Sequence, residues 1–184
     1  MIGRVFSLLS VAMLTARPVN AAQWSVDYAR SKLGFTVQWS GEPFFASFKK
    51  WQADIDFDPN DLSHAHATIT IDLASESSDE PDFDSGLKGA EGFATSRFPA
   101  AIFVTRSFAR TGPNSYVAQG TLSLHGLTRA VKLPFALSIA DRSAHMTGTA
   151  HVRRTDFALG QGEWAGPDPV AYNVAINVDL RATQ

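Results

Sequence analysis

The sequence predicts an all-β protein whose antiparallel strands either stack as two sheets or close into a barrel, with the barrel favoured. Apolar and polar residues alternate with a period of two along almost the whole chain after residue 21, which is typical of strands buried on one face. The predicted inner faces mix bulky aromatic and small side chains. A closed sheet has no exposed edges, and eight strands can enclose one small ligand.

Residues 1–21 predict an export signal and not a strand. Arg4 precedes an apolar run over 5–14, and small residues at 19 and 21 fit a cleavage site after Ala21. The run is shorter than the roughly 20 residues of a membrane span. We therefore expect a periplasmic protein in which 1–21 is removed and 22–184 forms a single β-barrel domain.

Seven stretches after this segment alternate clearly enough to predict strands. They are 33–39, 51–57, 65–73, 116–124, 131–139, 144–154 and 170–180. Residues 77–98 break the alternation, because they are polar, acidic and contain glycine. This connection predicts short helical turns, one of them capped at Asp84 or Ser85.

Composition and motifs exclude several function classes. Sixteen basic and eighteen acidic residues give a formal net charge of −2, so no basic surface for nucleic acid is expected. The sequence has no cysteine, which removes thiolate metal sites and cysteine nucleophiles. Two pairs of histidines on predicted strands lack a third metal ligand, and no Gly-x-Ser-x-Gly motif occurs. We expect no enzyme activity, no cofactor and no metal.

Arg154 is the unusual residue of the predicted strands. If the alternation over 144–154 continues, its guanidinium faces the apolar interior, which is costly unless the charge is paired. Asp156 lies two residues further on and can provide a structural partner, the interpretation we favour. In the alternative, Arg154 binds the head group of a ligand whose tail fills the interior.

Five short motifs occur in a fixed order, at 35–39, 48–59, 87–103, 120–135 and 154–164. With them, the chain from about Trp24 to Leu180 resembles the YceI-like family of secreted bacterial lipocalin-like proteins, described as polyisoprenoid-binding. The resemblance implies an extended antiparallel eight-stranded lipocalin-like barrel around an apolar channel. Ala46 and Ala158 stand where that family usually has glycine.

The function implied by the resemblance is sequestering or carrying a polyisoprenoid or isoprenoid-quinone, without catalysis. Alternatives are a binder of fatty acids, fatty amides or other long-chain amphiphiles, and an interaction module of a membrane b-type cytochrome, which the Gly-Gln-Gly-Glu-Trp segment at 160–164 suggests. Formation of a homodimer is a further alternative. The expected ligand-binding residues are Phe35, Val37, Trp39, Phe48, Trp51, Ile55, Phe103, Phe135 and Phe157 along the channel, with Arg154 and Asp156 at its polar end.

Overall fold

The fold is known from a computed structural model that describes residues 23–184. The predicted export signal lies outside the described residues. The strands are β1 (Gln23–Val26), β2 (Lys32–Trp39), β3 (Glu42–Phe48), β4 (Trp51–Asp56), β5 (His66–Asp72), β6 (Glu76–Ser77), β7 (Ala100–Gly112), β8 (Ser115–Leu124), β9 (Leu127–Ala140), β10 (Ser143–Arg153) and β11 (Val170–Thr183). One α-helix, α1 (Pro81–Lys88), and 3₁₀ turns at Leu73–Ser75, Arg154–Phe157 and Gly162–Trp164 complete the described elements.

The strands form one antiparallel sheet that closes on itself. Its hydrogen-bonded order is β1-β4-β5-β7-β8-β9-β10-β11, and β1 pairs back with β11, so that eight strands complete the ring. The remaining part of β11 pairs with β2, and β2 pairs with β3. β1 and β2 therefore share one place in the ring as a single interrupted strand, and β3 and β4 share the next place in the same way. The predicted closed, eight-stranded antiparallel barrel is confirmed.

The seven predicted strands correspond to β2, β4, β5, β8, β9, β10 and β11. Alternation does not predict β1, β3, β6 or β7, and the outer faces of β3 and β7 explain why these two are missed. On β7, Ile102 and Val104 point outward and are exposed, and on β3 Phe45 is 64% exposed. Apolar side chains on the outer face remove the contrast on which a period-two pattern depends.

Helix α1 lies in the connection where helical turns are predicted, but it begins earlier than expected. Glu80 is the residue before its first turn, and Pro81 opens the helix, a position that suits the fixed backbone of proline. Asp84 lies inside the helix and accepts a hydrogen bond from the backbone N–H of Ser78 at 2.8 Å. This hydrogen bond joins the helix to the preceding loop, and Asp84 does not cap the helix. No helix within residues 23–184 is long and apolar enough to cross a membrane.

Candidate functional site

The barrel interior contains two apolar cavities, arranged end to end. The first, the far chamber, has a volume of about 150 Å³ and is lined mainly by β4, β5, β7–β11 and Trp24 of β1. The second, the helix-end chamber, has a volume of about 120 Å³ and is covered by α1 and the segments at 92–93 and 157–164. Among the described residues, Thr105 is the only hydroxyl-bearing side chain that lines the far chamber. Arg154 is the only charged side chain among the described residues that line the helix-end chamber.

Aromatic packing shapes the far chamber. The Phe57 ring lies 5.2 Å from that of Phe108 and 5.5 Å from that of Tyr116, in edge-on arrangements. Trp24 donates its indole N–H to the carbonyl of Phe57 at 2.9 Å. This hydrogen bond satisfies the one strong donor that a tryptophan brings into an apolar wall.

Helix α1 contributes the aromatic residue that closes the helix-end chamber. The Phe83 ring lies 4.6 Å from that of Trp39 and 3.9 Å from that of Phe44. Trp164 stacks on Phe83 at 6.3 Å. These contacts hold the helix over the chamber, although all residues of α1 retain some exposure to solvent.

The structure places ten of the eleven predicted residues in the chamber walls. Trp51, Ile55, Phe103 and Phe135 line the far chamber. Phe35, Val37, Trp39, Phe48, Arg154 and Phe157 line the helix-end chamber. Asp156 lines neither of them. Their role in binding a ligand stays a prediction.

Arg154 is buried and fully occupied by the backbone. Its Nε donates to the carbonyl of Ala171, Nη1 to those of Leu159 and Gly160, and Nη2 to those of Gly166 and Val170. These five hydrogen bonds match the five N–H donors of a guanidinium. Burial lowers the pKa of Arg154. The residue thus fixes the path of the 159–171 segment.

The expected pair between Arg154 and Asp156 is wrong. Strand β10 ends at Arg153, and the chain turns into a 3₁₀ helix at Arg154, so that alternation no longer places residues 154 and 156 on one face. Asp156 is exposed and lies in a surface groove that Arg129 also lines. The structural role predicted for Arg154 holds, but backbone carbonyls and not a carboxylate provide its partners.

Glu76 is a buried carboxyl that sequence reasoning missed. It is 1% exposed, and neither of its side-chain oxygens has a hydrogen-bond partner. Burial and then the charge of Asp84 raise the pKa of Glu76 to about 7, against the opposing effect of Lys88. Burial works to raise the pKa of Asp84 as well, but hydrogen bonds from Ser78 outweigh it and hold that pKa below its ordinary value. The carboxyl therefore faces α1 as an unsatisfied, titratable group.

Several wall residues lie outside the alternating stretches. In the helix-end chamber they include Phe83, Leu87, Phe93 and Trp164. These residues sit on α1 and in loops, where the apolar spacing is irregular. The aromatic content of the loops, unusual for exposed connections, is the signal that indicates a buried role.

Three of the five histidines lie beside carboxylates on the barrel surface. His64 lies 2.7 Å from Asp61, and His145 lies 2.8 Å from Asp179. Within residues 23–184, no three His, Asp or Glu side chains are grouped in a way that can hold a metal ion. His125 occupies the β8–β9 turn with φ 53°.

Comparison with known proteins identifies relatives of this chain. Residues 24–182 match the model of the YceI-like domain. A protein named UPF0312 protein, from Shewanella denitrificans, is 29% identical over 163 residues, which cover 87% of this chain and 75% of the relative.

Solved structures agree with this assignment. The crystal structure of Burkholderia cenocepacia BcnA has a TM-score of 0.84 and 30% identity, over 86% of this chain and 100% of that chain. A structure described as a polyisoprenoid binding domain from Saccharophagus degradans has a TM-score of 0.68 and 15% identity, over 89% of this chain and 98% of that chain. With the family model matched from the first strand to the last, this chain belongs to the YceI-like family.

Proposed function

We propose that this protein is an exported, periplasmic lipid-binding protein that holds the tail of a polyisoprenoid or isoprenoid-quinone inside its barrel, without catalysing a reaction. The observation that carries the proposal is the pair of apolar chambers along one interior. Relatives support the choice of ligand, since the Saccharophagus degradans neighbour is described as polyisoprenoid-binding.

The energetics suit an apolar chain. Each methylene group moved from water into an apolar wall gains about 0.8 kcal/mol, so a five-carbon unit gains roughly 4 kcal/mol before the costs of binding. An engineered apolar cavity of about 150 Å³ stays dry and accepts benzene. Each chamber here has a comparable volume and therefore accommodates about six carbon atoms in its present shape.

The state of Arg154 favours an uncharged ligand over a fatty acid. All five of its N–H donors are already bonded to backbone carbonyls. Among the described residues, neither chamber wall contains another cation. A carboxylate entering the interior would lose its hydration without gaining a partner, which is strongly unfavourable. A neutral isoprenoid or quinone meets no such penalty.

The decisive test is to identify what the protein binds in its own compartment. The protein is purified from the periplasm, weighed by native mass spectrometry and extracted for lipid analysis. We expect a neutral isoprenoid compound at a substantial fraction of one per protein. A consistently empty barrel would count against the proposal, and a fatty acid or fatty amide would favour the alternative ligand class.

A matched pair of variants shows whether the bound lipid occupies the interior. Ala150 is 3% exposed and lines the far chamber, whereas its neighbour His151 points outward. Ala150→Phe places a ring in the chamber and is expected to reduce the recovered lipid at least tenfold. His151→Phe adds the same ring outside and is expected to leave the recovered lipid unchanged.

A further inference from the structure

Three apolar side chains are shared by the two chambers. Ile71, Leu122 and Ile176 line both the far chamber and the helix-end chamber, and no other described residue does so. Ile71 and Leu122 are buried at 8% and 5% exposure. The side chains of these three residues therefore mark the boundary between the cavities.

The barrel topology distributes these residues around the interior. Ile71 lies on β5, Leu122 on β8 and Ile176 on β11. One strand of the eight-stranded ring separates β5 from β8, and two strands separate β8 from β11. The remaining arc, from β11 back to β5, also contains two strand positions. The three side chains are therefore spaced nearly evenly around the interior at this level.

The neighbouring residues locate the boundary between the two chambers at the same level. Ile71 pairs with Ala101, and Leu122 pairs with Phe103. Ala101 lines only the helix-end chamber and Phe103 only the far chamber. The transition from one cavity to the other thus takes place within one or two residues along the strands.

We propose that Ile71, Leu122 and Ile176 form a constriction that sets the length of chain the barrel binds, a step that rests on the proposed function. A chain that fits one chamber is bound without disturbing the constriction. A chain that occupies both chambers must push these three side chains apart, and displacing close-packed side chains costs free energy. The affinity gained per added five-carbon unit therefore falls where the chain has to pass this level.

The test compares isoprenoid alcohols of two lengths, five-carbon prenol, which fits one chamber, and ten-carbon geraniol, which needs both. All four tryptophans line the chambers, so quenching of intrinsic fluorescence measures both dissociation constants. Leu122→Ala removes three carbon atoms from the constriction. We expect the preference for the longer alcohol to rise at least tenfold over that of the unmodified protein.

Leu124→Ala is the matched control, because Leu124 lies two residues along the same strand and lines the helix-end chamber alone. We expect its preference for the longer alcohol to stay within threefold of the original. Leu122→Phe narrows the constriction, and we expect the preference to fall at least tenfold. Should Leu122→Ala not fold, Ile176→Ala, at a half-buried position, repeats the widening.

The two ways of failing are distinguishable. If the alcohols bind but the preference of the protein for the longer alcohol is the same in the widened and narrowed variants, the constriction is refuted and the proposed function stands. If neither alcohol binds the unmodified protein, the proposed function is refuted and the constriction with it.

Discussion

Glu76 makes the stability of the barrel dependent on pH. The side chain is 1% exposed, and both of its oxygens lack partners, so that the neutral carboxyl is favoured over the carboxylate. Its pKa rises from 4.5 to about 7 on folding. A folded state that binds a proton more tightly than the unfolded state loses stability as the proton is removed.

The magnitude follows from the two pKa values. Between pH 4.5 and about 7 the unfolded chain is deprotonated at this group while the folded protein keeps its proton, so the free energy of unfolding falls as the pH rises. The stabilising contribution of Glu76 is fully present below pH 4.5 and is lost as the pH rises through about 7. The difference amounts to about 3 kcal/mol.

Glu76→Gln removes this dependence, because an amide of nearly the same shape does not titrate. We compare the free energy of unfolding of the variant with that of the unmodified protein at each pH. We expect this difference to be about 3 kcal/mol more favourable to the variant at pH 8 than at pH 4. Urea unfolding at both pH values provides the measurement. Any fixed cost of burying the amide is present at both pH values and cancels from the comparison.

Glu42→Gln is the control, since Glu42 is exposed at the start of β3. We expect this variant to change the free energy of unfolding by less than about 0.5 kcal/mol at either pH. Parallel pH profiles for the unmodified protein and Glu76→Gln would refute the reasoning. They would mean that Glu76 is ionised in the folded state and finds a partner or water.

Three further variants test other parts of the structure. Arg154→Met leaves the five carbonyls around it without donors and should cost at least about 3 kcal/mol in urea unfolding; a selective loss of affinity for anionic lipids would instead indicate a head-group role. Ala158 has φ 54°, so Ala158→Gly should raise the free energy of unfolding by about 0.5–1 kcal/mol, and an unchanged melting temperature would contradict this. Phe83→Ala should expose Trp39 and shift tryptophan emission to the red, whereas unchanged emission would show that α1 does not shield this ring.

The sequence predicts the strands of the barrel wall in which apolar and polar residues alternate. Along β9, Val131, Leu133 and Phe135 alternate with polar or exposed residues, and all three line the far chamber. A period of two assigns such residues to one face with no knowledge of the partner strands. Closure then brings the apolar faces together, which accounts for predicted wall residues on the alternating stretches such as Phe35, Ile55 and Phe135.

The ends of the barrel are harder to predict, because they consist of loops and short helices. Asp156 and Arg154 were expected on one face, but the chain leaves the strand between Arg153 and Arg154. Alternation cannot show where a strand stops, since the last residue obeys the pattern as well as any other. Nor does the sequence of 77–98 show that Glu76 is buried, because its burial depends on the position of α1.

The cover of the helix-end chamber differs in structure from the barrel wall, which bears on how a ligand enters. The wall is a closed ring of paired strands, in which β1 pairs with both β4 and β11. At the helix end the cover consists of α1 and loops, joined by the hydrogen bonds from Gly160 and Gln161 to the carbonyl of Glu91. Segments held by few bonds open at a lower free energy than strands within a sheet. Arg154 holds the 159–171 part of the cover with five hydrogen bonds, so we expect α1 to be the part that opens at the lower free energy. Because Glu76 faces α1, we expect its ionisation to weaken the packing of this helix.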